Sequence, residues 1–284
     1  MFENVRGKES TGGRSRLWLG GGLALAIVVI VLVVRALGKS PPPPPAASAS
    51  PPPAAAPRAR PAEGAMVRIE GGTFRMGTDD GDEDEKPVHD QRVGSFEIDA
   101  LEVSVGAYAT CVAAGKCVAA LGEGDCNWNK PERRDHPVNC VDYAQAMAYC
   151  AFVGKRLPTE REWELAARGT ENRLYPWGNA TPAGQLCWSG EGSDLGKGNQ
   201  HGTCPVGSHP AGATPQGVED LAGNVWEWTS SRYCPYPGDD CGTTLYVFRG
   251  GGWNNFVPRF VRAADRTKDA PTTRNDNLGF RCAR

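Results

Sequence analysis

The distribution of apolar residues divides the chain into three parts. Residues 17–34 contain no charged side chain and consist mostly of Leu, Ile, Val, Ala and Gly. At about 1.5 Å per residue, a helix of this length spans the hydrocarbon core of a bilayer, and no small-residue cleavage site follows it. We therefore predict a transmembrane anchor over residues 17–37, a Pro- and Ala-rich linker over residues 38–64, and a single domain over residues 65–284.

Charge and cysteine usage predict that this domain lies outside the cytoplasm. Four basic residues precede the apolar run and two follow it closely, so the positive-inside bias puts residues 1–16 in the cytoplasm. All ten cysteines lie in the C-terminal domain, and disulfides form in oxidising compartments. Both arguments indicate a single-pass membrane protein whose domain faces the periplasm or cell envelope. The domain has no basic patch, so no nucleic-acid partner is expected.

Within the domain, periodicity predicts few regular elements. Helices are expected over residues 104–113, 142–153 and 159–169, where polar capping residues precede apolar faces. Short alternating strands are expected near residues 67–77 and 96–104. Nothing beyond residue 169 is both long and periodic, which favours an α+β fold that is low in regular secondary structure.

Two acidic segments are candidates for cation binding. Residues 79–85 lack the alternating ligand spacing of an EF-hand, which predicts a solvated loop. Asp220 and Glu227 are seven residues apart, so they share a small cation only if the chain turns back at Gly223. Such a turn would add carbonyl oxygens to a cage of the kind calcium prefers. The alternative is a tight turn with a solvated Asp220 and an ion-paired Glu227.

Eight short motifs occur in an order that resembles the formylglycine-generating enzyme, or sulfatase-modifying factor, family. They are 71–77 (GGTFRMG), 102–106 (EVSVG), 136–141 (HPVNCV), 156–163 (RLPTEREW), 175–178 (YPWG), 223–228 (GNVWEW), 249–251 (RGG) and 278–281 (LGFR). The resemblance implies an irregular α+β fold related to C-type lectins. It also implies a structural calcium site formed by the side chains of Asp220 and Glu227 and the carbonyls of Gly223 and Val225.

The resemblance does not extend to the catalytic thiols. Enzymes of this family oxidise a client cysteine with oxygen and a copper ion held by two cysteine thiolates. The matching positions here are about Asn255 and Pro258, and neither side chain is a soft ligand for Cu(I). Copper is therefore not expected and no catalytic residue is assigned. An iron site of two histidines and a carboxylate would have to assemble from distant loops, because the four histidines are isolated along the chain.

The resemblance further implies a disulfide between Cys150 and Cys282. Pairing each remaining cysteine with its neighbour in sequence gives four more expected bridges, although many other pairings are possible. These bridges are Cys111–Cys117, Cys126–Cys140, Cys187–Cys204 and Cys234–Cys241.

These features predict a peptide- or glycan-binding module of the cell envelope. In the family, the substrate lies beside the segment that carries the thiolates, which corresponds to residues 252–262 here and is called the altered segment. It would present a mixed aromatic and polar surface. Its expected residues are Trp253, Asn254, Asn255, Phe256, Arg259 and Phe260. Trp253 and Phe260 belong either to this surface or to the core. The competing hypothesis is a metal-dependent oxidoreductase that acts on a protein substrate.

Overall fold

The computed structural model describes residues 59–238 and 241–284. None of the helices in these residues is long and apolar enough to cross a membrane. The predicted anchor at residues 17–37 and most of the predicted linker lie outside the described residues.

Three helices begin at the residues whose side chains can cap them. Ser104, Asp142 and Thr159 each accept a hydrogen bond from the backbone N–H three residues later, which satisfies a donor that the first helical turn leaves open. The helices are α1 (Val105–Ala113), α2 (Tyr143–Phe152) and α3 (Glu160–Arg168). The three predicted helices are thus confirmed to within a residue or two.

Eight short strands form three small sheets. The strands are β1 (Met66–Ile69), β2 (Gly72–Met76), β3 (His89–Val93), β4 (Phe96–Asp99), β5 (Trp226–Arg232), β6 (Tyr246–Arg249), β7 (Arg266–Asp269) and β8 (Leu278–Gly279). β1 pairs with β4 and β2 with β3, both antiparallel. The third sheet has the order β7-β6-β5-β8, in which only the β5–β8 pairing is parallel. The α+β architecture with little regular structure is confirmed.

The largest sheet and α3 enclose a core that contains charged as well as aromatic side chains. Trp163 on α3 is fully buried, and the guanidinium of Arg249 lies 5.6 Å from its ring centroid. Arg249 also pairs with Glu164, and both side chains are fully buried. Because a buried charge is costly without a partner, these pairs hold β6 and α3 in a defined relative position.

All ten cysteines are paired, and every expected bridge is confirmed. The disulfides are Cys111–Cys117, Cys126–Cys140, Cys150–Cys282, Cys187–Cys204 and Cys234–Cys241. The Cys150–Cys282 bridge spans 132 residues and joins α2 to the C-terminal segment. In the chain-entropy description, a loop of this length contributes about 5 kcal/mol to stability.

The solvated-loop prediction for residues 79–85 is wrong at its C-terminal end. Glu85 closes a short 3-10 helix, Glu83–Glu85, and is fully buried. Its Oε1 accepts a hydrogen bond from Nη2 of Arg262 at 2.6 Å. The ion pair with Arg262, which is distant in sequence, therefore offsets the cost of burying the Glu85 carboxylate.

Candidate functional site

The turn predicted around Gly223 is present. Asp220, Gly223 and Asn224 have positive φ angles of 57°, 77° and 58°, a region in which L side chains are strained. A Cβ on Gly223 would lie 2.5 Å from the carbonyl oxygen of Cys187. The Gly223 N–H donates to the carbonyl of Gly250 at 2.9 Å, and the Asn224 N–H donates to that of Cys187 at 2.8 Å. The turn is therefore fixed by two neighbouring segments.

The two predicted acidic ligands, Asp220 and Glu227, accept hydrogen bonds from different partners. Oδ2 of Asp220 accepts the backbone N–H of Gly207 at 2.6 Å. Glu227 is fully buried, and its two oxygens accept from Nε and Nη2 of Arg281, both at 2.8 Å. The indole N–H of Trp163 donates to the same carboxylate at 2.8 Å. Glu227 is thus ion-paired, as one of the two interpretations expected, and Asp220 is buried rather than solvated. Neither observation tests calcium binding.

A third carboxylate gives this region a surplus of negative charge. Glu102 is buried beside the turn, and its Oε1 accepts the Val225 N–H at 3.1 Å. Burial raises the pKa of Glu102, Asp220 and Glu227, and the other two carboxylates raise that of Glu102 further. Three buried carboxylates therefore share the guanidinium of Arg281, which is also fully buried. We call Glu102, Asp220, Glu227 and Arg281 the buried acidic cluster.

Asp220 and Glu227 offer carboxylate oxygens, which are the ligand type that a divalent cation such as calcium prefers. Oε1 of Glu227 accepts a hydrogen bond from Arg281 alone among the described residues, and a carboxylate oxygen has a second lone pair. Asp220 uses only Oδ2 for Gly207. A cation would also offset the negative charge that Arg281 leaves uncompensated. Gly223 and Val225 lie on the same turn, but calcium at these four residues stays a prediction.

Sequence reasoning missed a second acidic group. Asp82, Glu85 and Asp265 present carboxylate oxygens that lie within 4.8 Å of one another. Burial, and then the neighbouring Glu85, raise the pKa of Asp265 to about 8. The guanidinium of Arg262 contacts Glu85 and opposes this shift. Asp265 is far from the acidic run in sequence, so no spacing rule could have grouped it with Asp82 and Glu85.

Within the predicted binding surface, Trp253 belongs to the core. Its ring is buried, and its indole N–H donates to the carbonyl of Asp276 at 3.2 Å. Its backbone N–H donates to the carbonyl of Asn224 at 2.7 Å. Through these two bonds, Trp253 links the Gly223 turn to the segment around Asp276. It does not form part of the exposed surface.

The other predicted residues are partly or fully accessible. Phe256 is 54% exposed, and Asn254 is exposed beside it, with its Oδ1 accepting from Asn277 at 3.0 Å. The guanidinium of Arg259 lies 4.5 Å from the ring centroid of the half-buried Phe260. We call Asn254, Phe256, Arg259 and Phe260 the aromatic surface.

The two positions that match the family's thiolates have structural roles. Oδ1 of Asn255 accepts the Gly252 N–H at 2.7 Å, and its carbonyl accepts the Ser189 N–H at 2.9 Å. Pro258 begins a short 3-10 helix, Pro258–Val261, a position that needs no N–H donor. Since every cysteine is in a disulfide, no cysteine thiol is available beside this segment.

In the described residues the chain has few helices and three small sheets, and the ordered motifs point to one family. Residues 51–284 match the sulfatase-modifying factor enzyme 1-like domain, and the chain belongs to this family. It is similar to the inactive C-alpha-formylglycine-generating enzyme 2 of Bos taurus, with 33% identity over 268 residues that cover 77% of this chain and 87% of that protein.

Two further relatives show how broad the similarity is. Formylglycine-generating enzyme of Bos taurus is 33% identical over 290 residues, which cover 80% of this chain and 76% of that protein. The solved structure of PvdO from Pseudomonas aeruginosa aligns with a TM-score of 0.63 and 31% identity, covering 77% of this chain and 93% of that one. A protein named formylglycine-generating enzyme and one named as an inactive form are both 33% identical to this chain, so family membership alone does not decide activity.

Proposed function

We propose that the chain is a membrane-anchored, extracytoplasmic member of this family that binds a peptide or glycan and does not generate formylglycine. The observation that carries the proposal is the presence of Asn255 and Pro258 where the family resemblance puts copper-binding thiolates. An amide and a pyrrolidine ring provide no soft ligand for Cu(I). The similarity to a protein named as an inactive formylglycine-generating enzyme supports the same interpretation.

The aromatic surface has the composition of a recognition site. The exposed ring of Phe256 offers apolar area, Asn254 offers an amide, and Arg259 offers a guanidinium positioned over Phe260. Aromatic and arginine side chains contribute most of the binding energy at many interfaces. Trp253 and Asn255 fix the backbone beneath this surface, which reduces the conformational cost of binding.

The disulfides support the proposed location. Five bridges in one domain are typical of proteins that fold in an oxidising compartment. The apolar run at residues 17–34, with its basic N-terminal flank, would anchor such a domain from the cytoplasmic side.

The proposal is tested by probing peptide and glycan arrays with the full-length chain in detergent micelles. Phe256→Ser and Arg259→Gln are expected to weaken binding to the recognised probes at least tenfold, because they remove the exposed ring and the cation. Val118→Ser is the matched control, since Val118 is 71% exposed and lies on a different loop. Binding that survives both surface variants, or that the control also removes, would refute the assignment of this surface.

The alternative is a metal-dependent oxidoreductase acting on a protein substrate. The observation that favours it is the 33% identity to a protein named formylglycine-generating enzyme. Oxygen consumption should be followed with a cysteine-containing peptide, after the full-length chain is loaded separately with copper and with iron. The proposed binding module predicts no turnover above the metal-only background. Turnover with either metal would support the oxidoreductase instead.

We further propose that the buried acidic cluster holds a structural calcium ion through Asp220, Gly223, Val225 and Glu227. The uncompensated buried carboxylates support this. Calcium added at 100 times its dissociation constant to EDTA-treated protein should contribute about 2.7 kcal/mol of stability, seen as a rise in melting temperature of several degrees. Glu227→Gln should remove this rise, and the exposed control Asp90→Asn should keep it. An unchanged melting temperature in the unaltered protein would rule the site out.

A further inference from the structure

A cavity of about 360 Å³ is lined by residues of β3, the start of α3 and the end of β5, and by none of the aromatic surface. Its size falls in the range of small-molecule sites. His89 and Gln91 both line it and are two residues apart on β3, so they project from the same face of the strand. The opposite wall includes Ser231 and Arg232 from β5.

His89 presents an unused acceptor in this region. Its Nδ1 lies 2.9 Å from the carbonyl oxygen of Pro87. A carbonyl can only accept, so Nδ1 carries the proton and Nε2 of the neutral ring carries the lone pair. Nε2 is buried and has no hydrogen-bond partner among the described residues. Tyr236 fixes the ring, with the centroids 4.6 Å apart. Since a buried polar atom without a hydrogen-bond partner is destabilising, a ligand O–H or N–H that reached it would be stabilising.

The charge on the cavity wall favours an anion. Glu160 lines the cavity but is neutralised by Arg266, whose Nε and Nη2 donate to its two oxygens at 2.8 and 2.9 Å. The hydroxyl of Tyr236 also donates to Glu160 at 3.0 Å. Arg232 donates to the carbonyl of Thr243 and lies over the ring of Tyr246, neither of which is negatively charged. Among the described residues no carboxylate forms an ion pair with Arg232, so its charge is available to a ligand carboxylate.

Other groups on the wall suit a ligand with several hydroxyls. The Ser231 hydroxyl oxygen accepts the Glu160 N–H at 2.9 Å, which leaves its O–H free to donate elsewhere. The amide of Gln91 provides both donors and an acceptor. Met76 and Tyr236 supply apolar area against which the C–H face of a sugar ring can pack.

We propose that this cavity is a second binding site and that it takes an acidic sugar unit. A ring hydroxyl donates to Nε2 of His89, and the carboxylate pairs with Arg232. The site shares no residue with the aromatic surface, so this proposal can be correct or wrong whatever the outcome for the function proposed above.

The test is saturation-transfer NMR on the full-length chain in detergent, with glucuronate, glucose and acetate as separate probes. Glucuronate is expected to bind, and glucose and acetate are each expected to bind at least tenfold more weakly, because glucose lacks the carboxylate and acetate lacks the hydroxyls. Equal binding of either, or no binding of glucuronate, would overturn the proposal.

Two variants examine the two contacts separately. His89→Phe keeps an aromatic ring against Tyr236 but removes Nε2, and it is expected to weaken glucuronate binding at least tenfold. Arg232→Gln is expected to abolish the preference for glucuronate over glucose. His201→Asn is the control because His201 is exposed elsewhere, and Phe256→Ser should also leave glucuronate binding unchanged. Unchanged binding in His89→Phe, with a melting temperature like that of the control, would refute the assigned contact.

Discussion

Asp265 should make the protein less stable as the pH rises. Its side chain is buried, and burial together with Glu85 raises its pKa from an ordinary value of 3.8 to about 8. The unfolded chain therefore loses this proton near pH 4, whereas the folded chain keeps it until about pH 8. The stability that the protonated carboxyl contributes is fully present below pH 4 and is lost progressively as the pH rises to 8.

The size of the effect follows from the two pKa values. Each unit of pKa difference corresponds to about 1.4 kcal/mol, and integration between pH 5 and pH 8 gives a loss of about 3–4 kcal/mol from this group. Arg249 and Arg262 oppose the shift, while Asp82 adds to it. Asp265→Asn replaces the carboxyl with a neutral group of similar shape and should remove this part of the pH dependence.

The measurement is the free energy of urea unfolding at pH 5 and at pH 8, with EDTA present because a bound cation would lower the pKa of Asp265. The unaltered protein should lose about 3 kcal/mol more between the two pH values than Asp265→Asn does. Asp90→Asn, with a side chain that is 72% exposed, should keep the slope of the unaltered protein. Identical slopes for the unaltered protein and Asp265→Asn would refute the reasoning.

Two further substitutions test the Gly223 turn and the buried acidic cluster by urea unfolding. Arg281→Met should cost about 3–5 kcal/mol, because it leaves three buried carboxylates without their guanidinium, whereas Arg259→Met, at the surface, should change stability by about 0.5 kcal/mol or less. Gly223→Ala should cost at least about 2 kcal/mol more than Gly115→Ala, since both have positive φ but only Gly223 lies close to another backbone atom. Equal costs within either pair would contradict the corresponding argument.

The sequence predicted those features that depend on neighbouring residues. The starts of the three helices could be predicted because Ser104, Asp142 and Thr159 cap them. Each capping side chain binds the N–H three residues later, so the pattern can be recognised in the sequence. The same holds for the short disulfides, whose partners are close along the chain. Strand pairing was less predictable, because β5 lies between β6 and β8 and no period in the sequence shows that a parallel neighbour comes from the C-terminus.

What the sequence could not predict was the burial of charge. Glu85 looks like part of a solvated acidic run until Arg262 is seen beside it. An ion-paired Glu227 was one of two expectations, but the sequence did not show that its partner is Arg281, which donates to both of its oxygens. In each case the partner comes from a segment that is remote in sequence, and the cost of burying one charge is offset only by the other.

The segment at residues 252–262 shows how the fold can be kept when side chains change at the positions where the resemblance puts the family's thiolates. Its path is set largely by main-chain bonds: Trp253 donates to the carbonyl of Asn224, and the carbonyl of Asn255 accepts from Ser189. Such bonds form with any side chain that the local backbone tolerates. The side chain of Asn255 adds a further bond to Gly252, so at this position an amide stabilises the segment where a thiolate would bind metal. In the function that we propose, this backbone therefore carries the aromatic surface in place of metal-binding side chains.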